Sequence, residues 1–178
     1  AGAITGKNPF KALRNMMPAY FTALGTSSSA ATIPISVEST LKNGISRPVA
    51  NFVIPLCATI HLSGSMIKLT LYAFAIVYMA NLDISTSTGL GFIFLLGIMM
   101  IAAPGVPGGA VMVAAGLLAD MMGFDDGMVA LMIAAYIAID SVGTAANVTG
   151  DGAIAMILDK FVGNREDATK EELTDPTA

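Results

Sequence analysis

The chain has 178 residues, 54% of them hydrophobic and 12% charged, with a formal net charge of −4, no tryptophan, 18 glycines and 12 methionines. A typical soluble domain carries about 25% charged residues, so this composition, with a mean hydropathy of +0.72, argues against a soluble enzyme and for glycine-rich helices packed closely in lipid. No basic patch is present to hold nucleic acid, and the single cysteine, Cys57, excludes an internal disulfide.

Four apolar units follow one another. The first, residues 9–43, breaks at "TSSSAATIP", Thr26 to Pro34. Its arms have roughly 13 to 17 residues, short of the ~20 a helix needs to cross a bilayer, so a re-entrant hairpin with a serine-rich tip is expected. The second, 46–81, is long enough to span but is interrupted at "ATIHLSGS". The third, 85–122, breaks at "APGVPGGA", Ala103 to Ala110. Pro104 and Pro107 donate no backbone hydrogen bond there, and the flanking glycines accept unusual dihedrals, so a second hairpin is expected. The fourth, 127–161, carries "DSVGTAANVTGD", and residues 163–178 read as a polar tail.

The expected fold is an all-α membrane protein, with two re-entrant helical hairpins and two broken transmembrane helices in an inverted repeat. Residues 1–162 form one domain in this reading. Between Pro48 and Leu158 the only basic residue is Lys68, whereas Lys7, Lys11, Arg14, Lys42 and Arg47 precede that stretch and Lys160, Arg165 and Lys170 follow it. The positive-inside rule then puts both ends, including the C-terminus, in the cytoplasm and the acidic connections near Asp83 and Asp120 to Asp126 outside. The first hairpin's base lies on the basic side and the second's on the acidic side. Paired discontinuous helices of this kind are the best sequence pointer to a transporter's binding site.

The breaks carry the chemistry. The serine-rich tip can bind an anion between helix ends, or serve as an N-capped turn. The carbonyls freed in "APGVPGGA" can ligate a cation, or the segment is a packing turn with Gly105 and Gly109 as a close-approach pair. Asp140, Thr144, Asn147 and Asp151 are spaced 4, 3 and 4 apart, which puts them on one helical face. Carboxylates within an apolar span are functional by default, and an all-oxygen ligand set suits a hard cation such as sodium. His61 reads equally as a proton carrier, a donor to substrate, or a packed neutral side chain. Lys68 reads equally as a counter-ion for an aspartate or as a chain snorkelling to an interface.

These motifs resemble the dicarboxylate/amino acid:cation symporter family, the glutamate-transporter homologues. The resemblance rests on Ser27-Ser28-Ser29 with Thr32-Ile33-Pro34, "PLCATIHLSGS", "GVPGG" and "GTAANVTGD", and covers nearly all of residues 1 to 162. It matches the family's C-terminal part, so scaffold helices are expected to precede this segment in the whole protein. The resemblance implies a multi-pass plasma-membrane transporter, not an enzyme and without a cofactor. It further implies a homotrimer whose transport domain slides against a fixed scaffold. Asp140 then holds the substrate amino group, and Gly143, Thr144 and Asn147 line its side. Backbone at Ser28, Ser29 and Val106 to Gly108 holds its carboxylate. One sodium site is implied at Asn147 and Asp151 with carbonyls near Cys57 and His61. A second is implied at carbonyls near Thr59 and from Met100 through Ile101 to Ala103.

Two departures matter. The family's Asn-Met-Asp-Gly-Thr reads His61-Leu62-Ser63-Gly64-Ser65 here, which removes a carboxylate and an amide from one family sodium site. Acidic-substrate members also carry arginine where Gly143 stands. A substrate carboxylate without that partner incurs a penalty of roughly 3–5 kcal/mol, so a neutral amino acid or cystine is expected, unless Lys68 reaches the site and restores an acidic substrate. Proton coupling through His61 and Asp151, or a non-transporting membrane module, are the competing expectations.

Overall fold

The computed structural model describes residues 1–174, with side chains as far as Val162. The polar tail expected at 163–178 therefore falls outside the described residues in its side chains, and from residue 175 in its backbone. Among the described residues all regular structure is helical. A short α1 (Gly2–Thr5) leads to α2 (Pro9–Thr26), α3 (Ser29–Leu41), α4 (Arg47–Ile60) and α5 (Ser63–Met79). Then come α6 (Thr86–Met99), a 3-10 turn at Met100–Ala102, α7 (Gly109–Met122), α8 (Asp126–Ala138) and α9 (Asp140–Thr174). This agrees with the all-α class expected from composition.

Local chemistry sets the boundaries that matter for the site. The Asn8 side chain accepts from the N–H groups of Phe10 and Lys11, with Pro9 opening α2. That helix ends where Ser27 turns left-handed (φ 50), and Ser28 then caps α3 by accepting from Ala31 N–H. Regular helix is interrupted at His61–Leu62, between α4 and α5. A longer break separates the 3-10 turn from α7, closed by Gly108 at φ 74, where a side chain would be strained. Asp125 caps α8 through Met128 N–H. Helices α8 and α9 meet at Ile139 with a bend of 62°.

Helix α9 is the hub, packing on α2, α3, α4 and α5, while α6, α7 and α8 gather with α5 on the other side. The largest core cluster joins Leu69, Phe92, Leu96, Leu118, Met132 and Tyr136. A second joins Val53 and Ile54 to Met156, and a third joins Met16 to Val148. Lipid is as apolar as leucine, so such contacts hold helices by close packing more than by water release. Fully buried Ala19, Ala23, Ala50, Ala114 and Ala145 let the backbones approach.

The stretch Arg47–Met79 is long and apolar enough to cross a membrane, and α8 with α9 to Val162 passes the same test as a bent pair. Helices α6 and α7 have 14 residues each. At 1.5 Å per residue each reaches about 21 Å, less than a hydrocarbon core of about 30 Å. Large apolar side chains including Phe10, Phe52, Leu71, Phe94 and Tyr78 are exposed, a surface that water does not favour.

Candidate functional site

The polar residues of α9 turn inward. Asp140, Thr144, Asn147 and Asp151 are 4%, 4%, 1% and 1% exposed. Each has a partner, because an unsatisfied polar group at this depth is heavily penalised.

Asp140 opens α9 and uses both carboxylate oxygens. Oδ2 accepts from Gly108 N–H at 2.8 Å, which ties the second break to α9. Oδ1 accepts from Lys68 Nζ at 3.0 Å. Lys68, buried on α5, also donates to the carbonyls of Tyr136 (3.3 Å) and Ile139 (3.2 Å). Its Nζ lies 3.5 Å from the Tyr136 ring centre. An ammonium has three protons, and here three oxygen acceptors answer them. The two carbonyls belong to the C-terminal end of α8, where the helix dipole favours a cation. Of the two readings open for Lys68, the geometry is that of a counter-ion. A Cβ added to Gly143 would sit 3.3 Å from Lys68 Nζ and 3.4 Å from Cε. Lysine from α5 thus fills the space an arginine from α9 would enter.

Asn147 bridges helices. Its Oδ1 accepts from Gly64 N–H (2.8 Å) and Ser65 N–H (3.3 Å), and its Nδ2 donates to Ser65 Oγ (3.0 Å). It therefore caps the start of α5 from another helix. Close approach requires Gly64, since a Cβ there would meet Gly143 O at 2.6 Å and Ala146 Cβ at 2.7 Å. The Thr144 hydroxyl donates to Asp140 O at 3.0 Å. One turn beyond Asn147, Asp151 Oδ1 lies 2.7 Å from Nδ1 of half-buried His61.

The two tips meet at this cluster. Ser28 Oγ donates to Gly105 O at 2.9 Å, and Ala30 N–H donates to the same carbonyl at 3.1 Å. A Cβ on Gly105 would run into the Ala58 carbonyl of α4. Between the tips and α9 lies a cavity of about 10 Å³, room for about one water. Ser29, Val106, Asp140, Thr144 and Asn147 line it, and Ser28, Gly108 and Gly143 adjoin through the contacts just given.

Of the expected cation ligands, Asn147 and Asp151 are buried next to the α4–α5 break. Cys57 is buried and its carbonyl accepts from His61 N–H at 2.9 Å. Thr59 is exposed, its hydroxyl donating to Leu56 O at 2.8 Å. Met100 and Ile101 form the 3-10 turn, and Ala103 N–H closes on Met100 O at 3.3 Å; α4 packs against that turn. Sequence reasoning did not single out Tyr136 or the role of Ser65. The sequence carries no periodic signal for the first, because the 62° bend at Ile139 separates Tyr136 from the face of α9.

These features define a helical membrane protein whose buried charges gather at helix breaks, the class that includes secondary transporters. The model of the sodium:dicarboxylate symporter family matches residues 1–161, and the chain belongs to that family, whose members are symporters and not enzymes. It is 30% identical over 179 residues to the neutral amino acid transporter B(0) of Mus musculus, covering 97% of this chain and 30% of that protein. It is 31% identical over 157 residues to excitatory amino acid transporter 1 of Rattus norvegicus, covering 88% of this chain and 29% of that one. With excitatory amino acid transporter 1 of Ambystoma tigrinum the identity is 32% over 158 residues, with coverage of 88% and 29%. The chain thus spans about a third of the length of these relatives.

Proposed function

We propose that this chain is the transport domain of a sodium-coupled amino-acid symporter of the plasma membrane. It works by an elevator movement against a trimeric scaffold supplied by segments absent from this chain. The observation that carries the reading is the buried polar face of α9, facing both helix breaks at once, with Asp140 bonded to Gly108 and Asn147 to the start of α5. The two short-armed units are read as re-entrant hairpins in an inverted repeat, and the C-terminus as cytoplasmic.

In this reading Asp140 receives the substrate ammonium. Thr144 and Asn147 contact the substrate, and backbone at Ser28, Ser29, Val106 and Gly108 receives its carboxylate. Opening the cavity requires breaking the Ser28–Gly105 and Gly108–Asp140 hydrogen bonds, so the second hairpin is the gate. Sodium uses Asn147 and Asp151 with carbonyls at Cys57 and His61. A second ion uses carbonyls at Thr59, Met100, Ile101 and Ala103.

A neutral amino acid, or cystine, is the favoured substrate. Lys68 does reach the site, but its charge is matched by Asp140 and its three protons have acceptors. Displaced from Asp140 by a substrate ammonium, Lys68 keeps the Tyr136 and Ile139 carbonyls and the Tyr136 ring as partners, and Gly143 supplies no donor to a substrate side-chain carboxylate.

The test is uptake of a labelled amino-acid panel into liposomes holding the full-length protein under an inward sodium gradient. Sodium-driven accumulation of a neutral amino acid is expected, and tight handling of aspartate would refute the substrate reading. Accumulation under a proton gradient alone would move the coupling to the 2.7 Å His61–Asp151 contact. Silence under both gradients would favour a non-transporting module.

A further inference from the structure

We propose that Lys68 is a tethered stand-in for the substrate's ammonium, which covers Asp140 while the carrier recrosses the membrane without substrate. The proposal rests on the symporter reading above.

A carrier that binds an ammonium at a buried aspartate loses that cation on release. It must then return with the carboxylate bare or with a replacement. A bare buried carboxylate is strongly disfavoured. Lys68 Nζ lies 3.0 Å from Asp140 Oδ1, the oxygen left over once Oδ2 has taken Gly108 N–H. The cation and the closed gate are therefore compatible, and one carboxylate holds both. In the same arrangement Ser28 joins the tips and the cavity is about 10 Å³, too small for any amino acid. This geometry belongs to the substrate-free leg of the cycle.

The ammonium's berth is built for it. Tyr136 O, Ile139 O and the Tyr136 ring complete its shell, and Gly143 leaves the volume open. Lys68 lies one turn beyond Gly64, whose N–H is pinned by Asn147, so its helix is held in register with α9. An arriving substrate ammonium competes for Oδ1 and displaces Lys68. Lys68 is a positioning residue: it acts on Asp140 and makes no contact with substrate.

The experiment compares net uptake with exchange for the full-length protein in liposomes, using the substrate that the panel identifies. Wild-type protein is expected to take up substrate into a lumen buffered only with N-methyl-D-glucamine, because the return step carries its own cation. In Lys68→Met, net uptake is expected to fall at least about tenfold more than exchange, since in exchange the substrate ammonium covers Asp140 on both crossings. Saturating substrate is expected to raise the melting temperature of Lys68→Met more than that of wild type. A merely structural lysine would depress uptake and exchange in parallel, and that result overturns the proposal. So does an unchanged ratio, a wild-type requirement for a luminal alkali cation, or failure of Lys68→Met to fold even in saturating substrate. Absence of wild-type exchange with every amino acid in the panel would instead sink the symporter reading itself.

Discussion

Moving the site's cation from α5 to α9 tests the electrostatics directly. Lys68→Met takes the ammonium from Asp140 Oδ1 and leaves the Gly108 N–H contact at Oδ2. Breaking a buried pair on one side costs about 3–5 kcal/mol. Gly143→Arg with Lys68 in place brings a second cation to a berth already filled, its Cβ starting 3.3 Å from Nζ. Two cations about 4 Å apart repel by about 4 kcal/mol at an effective dielectric of 20. The shared attraction to Asp140 reduces that to a net loss of about 1–3 kcal/mol. In the double variant the methionine vacates the berth and the guanidinium takes Asp140, so most of both losses disappears. The expected coupling is about 3–5 kcal/mol in favour of the double variant. Denaturation of the four detergent-solubilised full-length proteins measures it. Strict additivity, with a coupling under about 0.5 kcal/mol, would refute the assignment of Lys68 as the counter-ion of Asp140. The double variant is also expected to gain uptake of acidic amino acids, because a guanidinium has donors to spare for a second carboxylate.

Asn147→Ala removes the acceptor of two backbone N–H groups and a donor to Ser65; a loss of about 1–3 kcal/mol in thermal denaturation is expected. Gly64→Ala drives a methyl into the Gly143 carbonyl, which should lower stability by about 1–3 kcal/mol and transport with it; wild-type behaviour would contradict the observed helix crossing. Ser28→Ala removes one hydrogen bond between the tips and the side-chain cap of α3, together worth about 1–3 kcal/mol. A cysteine placed at Val106 should then react faster with a membrane-impermeant maleimide than in the parent. His61→Asn frees Asp151 Oδ1 of its 2.7 Å partner, so half-maximal uptake is expected at a lower sodium concentration; an unchanged sodium dependence would remove Asp151 from the ion site.

Much of the helical plan was legible because it is local. The breaks announce themselves within a few residues: of the stretch Thr26 to Pro34 only Ser27 and Ser28 leave the helix, with Pro34 inside α3, and of Ala103 to Ala110 the residues before Gly109 do so. The 4-3-4 spacing of Asp140, Thr144, Asn147 and Asp151 is likewise a one-dimensional signal, converted to a face by 3.6 residues per turn. The apolar composition alone separates this chain from soluble enzymes.

The tertiary structure decided who pairs with whom. Lys68 and Asp140 are 72 residues apart, His61 and Asp151 are 90 apart, and Ser28 and Gly105 are 77 apart. No periodicity encodes such distances. Two readings of Lys68 were equal in the sequence because a lysine in an apolar helix can snorkel or pair, depending on whether a carboxylate meets it in three dimensions. The crossing of α5 over α9 at Gly64, Gly143 and Asn147 brings that carboxylate within reach, and the close backbone approach that fixes the crossing exists only once both helices are packed.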